Sequence, residues 1–211
     1  MAFSSEAELC VMHALRVKGF VDTPAIVEVT GLLEPEVLGF LQAFKESEEV
    51  RHREGKMSGW MLTPQGRARG QAMVSEELEA AGIRDQVATA YQSFLAVNQG
   101  FLALCTDWQL RTVDGEQVVN DHADVAHDAA VIERLGEADA VVQTVCAALA
   151  EAFERFGDYG NRFSEALTKV RNGDHDWFTK PMIESYHTVW FELHENLLAT
   201  LGIERANESA G

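Results

Sequence analysis

Positive charge is scarce in this sequence. Seventeen Lys and Arg residues stand against 34 Asp and Glu, a formal net charge of −17, the opposite of the broad basic footprint with which proteins hold nucleic-acid phosphates. Cysteine is scarce as well. Cys10, Cys105 and Cys146 are odd in number, widely separated and set among Leu, Val and Ala at helical positions, which argues against a disulfide framework or zinc site and predicts three buried thiols. No run approaches the roughly 18 uncharged apolar residues of a membrane span. The opening Met-Ala-Phe-Ser-Ser-Glu lacks the basic-then-apolar pattern of a secretory signal, so a cytoplasmic protein with no membrane partner is expected. Missing too are the Gly-x-Ser-x-Gly elbow, the Gly-x-x-x-x-Gly-Lys phosphate loop and the Gly-x-Gly-x-x-Gly turn. No catalytic residue, enzyme activity or cofactor is expected.

What is present describes an ordinary folded chain. A hydrophobic share of 46% and a charged share of 24% over 211 residues suit a packed globular protein, long enough for two small domains with cores of their own. The acidity is uneven. Up to residue 72 there are 8 basic and 10 acidic residues, and beyond it 9 and 24, so the excess negative charge belongs to the C-terminal part.

The N-terminal third is dense in local signals. Ser5-Glu6-Ala7-Glu8 has the form of a capping box and opens a helix carrying Leu9, Met12 and Leu15, which Gly19 ends. Thr23-Pro24 supplies a cap oxygen and a first-turn proline, predicting a second helix over Ala25 to Thr30 stopped by Gly31. Glu34-Pro35-Glu36 starts a third, to about Glu46, with Val37, Leu38, Leu41 and Phe44 on one face. Two short helices across a glycine turn make a helix-turn-helix. Val50-Arg51-His52-Arg53, the polar tip Glu54-Gly55-Lys56 and Gly59-Trp60-Met61-Leu62 predict a two-stranded hairpin. In Leu62-Thr63-Pro64-Gln65-Gly66-Arg67, Thr63 is placed to cap a fourth helix and Pro64 to occupy its first turn; that helix breaks at Gly82.

Three helices, a hairpin with a basic tip and Leu-Thr-Pro-x-Gly-Arg, over roughly residues 5 to 72, resemble the winged-helix domain of MarR- and PadR-type transcriptional regulators. The resemblance implies that the third helix enters the major groove, that the hairpin is a wing against the backbone, and that the protein acts as a dimer on DNA. Arg51, Arg53, Lys56, Arg67 and Arg69 stand where wing and flanking residues meet phosphates, and Arg51 and Arg53 share one strand face. The third helix fits less well. Its outward side carries Pro35, Glu36, Gly39, Gln42, Ala43 and Glu46, with Lys45 beside them. Only Gln42 has the donor and acceptor pair that reads adenine, and two carboxylates would face phosphate. A winged helix that has given up DNA for a protein partner therefore stays open.

Beyond Gly82 the pattern is helical: Asp85 to about Arg111, Asp121 to Leu135, Asp139 to Phe156, Tyr159 to Val170 and Pro181 to Leu201, with Thr112 to Asn120 a polar loop and no strand after residue 62. Five helices with short connectors predict an antiparallel bundle. The expected fold is thus mainly α: a winged helix over 1–82, an all-helical domain over 83–205 and a flexible tail over 206–211.

Three carboxylate-x-x-His pairs, Glu49 with His52, Asp124 with His127 and Glu184 with His187, have the form that helical bundles use for paired metals. In so acidic a chain, chance supplies such pairs, and no metal is expected from them. His187 and His194 lie about 10.5 Å apart along one helix, too far to share an ion. With Trp108, Tyr186 and Trp190 they can instead line a pocket between helices, aromatic walls with polar tips. The stretch Tyr186 to His194 also looks faintly like modules that accompany pyruvate phosphate dikinase-type enzymes. The expectation is a homodimeric DNA-binding transcriptional regulator whose acidic bundle senses a small-molecule effector or makes the dimer. The alternative is an interaction or accessory subunit of a metabolic enzyme that does not bind DNA.

Overall fold

Thr63 and Gly82 delimit a helix as their chemistry requires. In the computed structural model, which describes residues 2–113 and 115–208, the Thr63 hydroxyl accepts from Gly66 N at 3.1 Å, Pro64 fills the first turn, and Gly82 closes the helix in the left-handed conformation. The chain is mainly helical, with two small antiparallel sheets of two strands each. It divides into two compact units. One runs up to Val87 and also takes Ala152–Arg155 and the described chain from His194 on; the other comprises Ala88–Glu151 and Phe156–Leu193. Where the sequence suggests a linear break at residue 82, the first unit thus reclaims the end of the last helix and residues 206–208 of the expected tail, the rest of which lies outside the described residues. No helix is long and apolar enough to cross a membrane among the described residues.

The first unit contains α1 (Ala7–Lys18), α2 (Thr23–Thr30), α3 (Glu34–Glu46), β1 (Val50–Arg53), β2 (Gly59–Leu62) and α4 (Pro64–Ala81). Its core joins Val11, Met12, Leu15, Ile26, Val37, Leu41, Phe44, Val50, Trp60 and Leu62. The β1–β2 register places Arg51 opposite Met61 and Arg53 opposite Gly59.

Three local expectations change. Asp22, not Thr23, caps α2, accepting from Ala25 N at 3.0 Å, while the Thr23 hydroxyl accepts the Trp60 indole N–H at 3.1 Å. The Ser5 capping box does not form, because the Ser5 hydroxyl takes a hydrogen bond from Arg155 at 2.9 Å and Glu8 takes one from Arg69 at 2.6 Å. Leu38 is 43% exposed. It lies about 100° around α3 from Val37 and so clears the core stripe, which Phe40 joins instead.

A buried polar seam explains why distant segments belong to the first unit. Arg155 holds Glu77, donates to Ser5 and to Thr200 Oγ1 (3.3 Å), and lies 3.9 Å above the Phe153 ring. His13 Nε2 donates to Asn196 Oδ1 at 2.7 Å. Burial, reinforced by the positive charge of Arg155, pushes the His13 pKa down from 6.5 to about 3. The neutral ring is therefore the native form, and its contribution is full above pH 6.5 and is lost as pH falls toward 3. His13→Gln, which keeps a donor for Asn196 but cannot titrate, is expected to flatten the acid loss of stability by about 1.3 kcal/mol between pH 5.5 and pH 4.5. Urea unfolding at the two pH values checks this; parallel pH slopes for the two proteins would reject it.

The second unit holds α5 (Arg84–Gln109, from Ala88), β3 (Leu110–Val113), β4 (Glu116–Val119), α6 (Val125–Ala152, to Glu151), α7 (Tyr159–Arg171), the single turn α8 (Asp176–Thr179) and α9 (Tyr186–Leu201) as far as Leu193. The expected polar loop over Thr112 to Asn120 is a hairpin, with Leu110 opposite Val119 and Val113 opposite Glu116. The two helices expected over 121–156 are one, and Gly136 lies inside it with the Arg171 guanidinium against its Cα face. The last helix begins at Tyr186, five residues after the expected Pro181. Cys105 and Cys146 are buried free thiols, pushed up to about 12 by desolvation, whereas Cys10 is only half-buried.

Candidate functional site

The β1–β2 hairpin and the face of α3 beside it form the first candidate surface. Along β1, Val50 is buried and Arg51 and Arg53 are exposed, which aims both guanidiniums outward. Between them the His52 ring packs on Trp60 at 4.3 Å between centroids, anchoring the strand to the core. Lys56 is exposed at the hairpin tip, Arg67 on the first turn of α4 and Lys45 near the end of α3.

None of Lys45, Arg51, Arg53, Lys56 and Arg67 makes an ion pair among the described residues, although the other arginines of this unit do or bond backbone. Arg16 and Arg205 both hold Glu195, Arg155 holds Glu77, and Arg84 donates to Leu201 O. Arg69, expected on the phosphate-binding surface, is instead shared by Glu8 at 2.6 Å and Glu49 at 2.7 Å. Those two carboxylates, Glu8 first, raise its pKa above the usual arginine value. Its charge is therefore spent inside the unit.

On α3 the six residues expected to face outward, Pro35, Glu36, Gly39, Gln42, Ala43 and Glu46, are all exposed. The Gln42 amide donates to Glu46 Oε1 at 2.9 Å, so the one side chain suited to a base edge is held by a carboxylate of its own helix. Leu33 (75% exposed), Val29 (50%) and Leu38 add apolar surface on α2, α3 and the turn between them.

The residues expected to line a pocket do not converge. Tyr186 and Trp190 are buried around Phe101, which stacks on Trp190 at 4.0 Å and faces Tyr186 at 5.7 Å. Tyr186 donates to Asp139 at 2.9 Å and Trp190 to Asn98 at 2.9 Å, so both polar tips are consumed. Burial and the neighbouring Asp139 carboxylate push the Tyr186 phenol far above its ordinary value, which keeps it a neutral donor. His187 is half-buried at the edge of Phe101, and burial lowers its pKa. His194 belongs to the first unit, where it meets Glu208 at 2.6 Å. Trp108 sits in another cluster. The carboxylate-x-x-His pairs dissolve likewise: Asp124 caps its own helix, His127 donates to Asp107 O at 2.8 Å, Glu184 accepts from Arg162, and Glu49 holds Arg69.

Comparison with known proteins found no match: no family model, no curated protein and no solved structure.

Sequence reasoning missed one constellation altogether. His122 follows β4, Asp128 lies in the first turn of α6 and His175 precedes α8; one ligating atom from each falls within 4.8 Å of the others. His122 Nδ1 and Asp128 Oδ2 are 3.0 Å apart. The buried Asn120 amide donates to Asp128 Oδ1 at 2.8 Å and to Trp108 O at 3.0 Å, and its oxygen accepts from His122 N at 3.1 Å. Trp108 floors the group, its ring 4.5 Å from His122, 5.2 Å from His175 and 4.7 Å from Phe178. His122 is held at a φ of 56°, a left-handed conformation that costs a non-glycine residue about 1–3 kcal/mol and recurs at functional sites. The three side chains stand 6 and 47 positions apart in the sequence, so no motif announces them.

Proposed function

We propose that the protein is a DNA-binding transcriptional regulator whose N-terminal unit is a winged helix, with β1–β2 as the wing. The observation that carries this reading is the set of unpaired cations at and beside the hairpin. In a chain with twice as many acids as bases, Arg51, Arg53, Lys56, Arg67 and Lys45 stay exposed without carboxylate partners among the described residues, while Arg16, Arg69, Arg155 and Arg205 are paired. Free cations on one surface of an acidic protein are available to polyanions. The acidic face of α3 predicts that phosphate contacts and DNA shape, not base edges, supply most of the affinity. In this reading the protein works as a homodimer, and the second unit provides the dimer surface or responds to a small effector.

The test is binding to labelled DNA from the gene's own upstream region at about 50 mM and about 200 mM salt. Wild-type protein is expected to bind at low salt and weaken as salt rises. An Arg51→Ala/Arg53→Ala/Lys56→Ala variant is expected to bind less and to lose about 2–3 from the log–log salt slope, since each phosphate contact contributes about 0.9. Binding that is absent at low salt, or unaffected by the triple substitution, would overturn the reading.

A second reading has an observation of its own. Exposed Leu33, Val29 and Leu38, with Glu34, Glu36 and Glu46 beside them, suit a protein partner better than phosphate. A winged helix that docks another protein, such as a metabolic enzyme, would leave DNA unbound and would lose its partner on Leu33→Asp/Leu38→Asp.

A further inference from the structure

We infer that His122, Asp128 and His175 form a binding site for one divalent transition-metal ion of the zinc class, in the second unit and independent of any DNA contact. The argument begins with Asp128. Asp128 is 5% exposed, and its side-chain partners are Asn120 and His122, with no lysine or arginine on it among the described residues. A buried carboxylate is stable as an anion only when it is paired, multiply hydrogen-bonded or bound to a metal. Here half of the compensation already has the form that metal sites use: Asn120 grips Oδ1, which leaves Oδ2 against His122 Nδ1.

His175 supplies the second, independent observation. Its ring lies 4.7 Å from His122 and edge-on to Trp108, yet its nitrogens have no hydrogen-bond partner among the described residues. An imidazole held only by tilted and edge-on ring contacts among the described residues, beside a buried carboxylate, has a ring nitrogen to offer. These ring contacts and the Asn120 bonds orient the ligands, and the Trp108–Phe178 floor excludes water from one side of the site.

The donor set selects the ion. Two nitrogens and one carboxylate oxygen suit Zn²⁺ and its late first-row neighbours, whereas Mg²⁺ and Ca²⁺ favour all-oxygen cages. Bonds of about 2.0–2.2 Å in a tetrahedron set ligand atoms about 3.3–3.5 Å apart. The His122–Asp128 separation of 3.0 Å already matches that edge to within a few tenths of an ångström. The widest separation, within 4.8 Å, closes by side-chain rotation of His175, which sits on a loop. Binding would replace the His122–Asp128 hydrogen bond by two metal bonds, the neutral His122 ring carrying its proton on the nitrogen that does not ligate. Three protein ligands leave the fourth position to water or to an exogenous ligand. The ion would also staple the chain after β4, the start of α6 and the loop before α8 to one another.

The experiment uses the full chain without a histidine tag, stripped by chelator and titrated with Zn²⁺ against a chromophoric competitor. One equivalent is expected to bind with a Kd below about 1 μM, together with a rise in the thermal midpoint. His175→Ala removes a side chain that makes no hydrogen bond among the described residues, so it is expected to fold as wild type and to weaken Zn²⁺ at least about 100-fold; His122→Ala should weaken Zn²⁺ likewise. His127→Ala, five residues from His122 and committed to Asp107 O, is expected to retain full affinity. Absence of a stoichiometric tight site in the wild type, or binding undiminished in His175→Ala, would overturn the inference and leave His122–Asp128 as a plain hydrogen bond. Neither result bears on DNA binding, which is read separately.

Discussion

Gly66→Ala is expected to destabilise the first unit by about 3 kcal/mol or more, while the same substitution at Gly39 is expected to stabilise it by about 0.5–1 kcal/mol. A Cβ at Gly66 would overlap the Glu49 carbonyl oxygen and stand 2.9 Å from its carbon. Both sides of that contact are backbone, so no rotamer change relieves it. The approach is enforced by hydrogen bonds: Thr63 N donates to Glu49 O at 2.9 Å and the Thr63 hydroxyl to Glu48 O at 2.8 Å, seating the first turn of α4 on the chain that leads into β1. Moving that turn moves the hairpin. At Gly39, on the exposed side of α3, an added Cβ meets nothing within 4 Å, and alanine gains its intrinsic helix preference. Urea unfolding of the two variants checks the sign of each. A loss below about 1 kcal/mol at Gly66 would mean that α4 slides freely on the Glu49 backbone.

That contrast also shows which parts of the fold are legible in the sequence. Thr63, Pro64 and Gly82 declare α4 because capping and left-handed closure depend on residues a few positions apart, and Pro35 declares α3 by fitting its first turn. The β1–β2 hairpin is legible because two short strand-like runs flank a polar tip. Legibility fails where a local signal is outvoted by a distant partner. Ser5 and Glu8 have the right spacing for a capping box, but Arg155 and Arg69 claim their oxygens. The sequence suggests a break between Leu135 and Asp139, yet α6 runs through Gly136, where Arg171 occupies the space that a side chain would need. The β3–β4 hairpin had a usable signal, Asp114-Gly115 between Leu-Arg-Thr-Val and Glu-Gln-Val-Val, with Gly115 at a φ of 88°; Asp114 itself lies outside the described residues.

The candidate sites divide along the same line. Arg51 and Arg53 could be placed on one strand face by alternation and Lys56 at the polar tip, but that Arg69 is neutralised and its neighbours are not depends on Glu8 and Glu49, one of them 61 residues away. The helical wheel correctly groups Tyr186 with Trp190, because both face Phe101. It cannot tell that α9 passes from one unit to the other between Leu193 and His194, or that β3–β4 brings His122 over Trp108. Periodicity describes one element at a time. A site assembled from a hairpin exit, a helix start and a loop has no period.

The second large effect follows from the buried seam of the first unit. Glu77→Ala is expected to cost about 3–5 kcal/mol, because it leaves the Arg155 guanidinium without its carboxylate in a place where water cannot replace it. Their side chains are 6% and 8% exposed, so little of the interaction is screened. For a chain of this size, such a loss lowers the thermal midpoint by roughly 10 °C. An exposed pair provides the contrast: Lys169 and Glu165 are 2.6 Å apart one turn along α7, with side chains 36% and 63% exposed, and Glu165→Ala is expected to cost no more than about 0.5 kcal/mol. Replacing both buried partners, Glu77→Leu with Arg155→Met, removes the stranded charge along with its neutraliser. The double variant is expected to recover most of the loss despite giving up the bonds to Ser5 and Thr200. If it is instead as unstable as Glu77→Ala, the hydrogen bonds of Arg155 to Ser5 and Thr200, more than its charge balance with Glu77, hold Ala152–Arg155 and the chain end in the first unit.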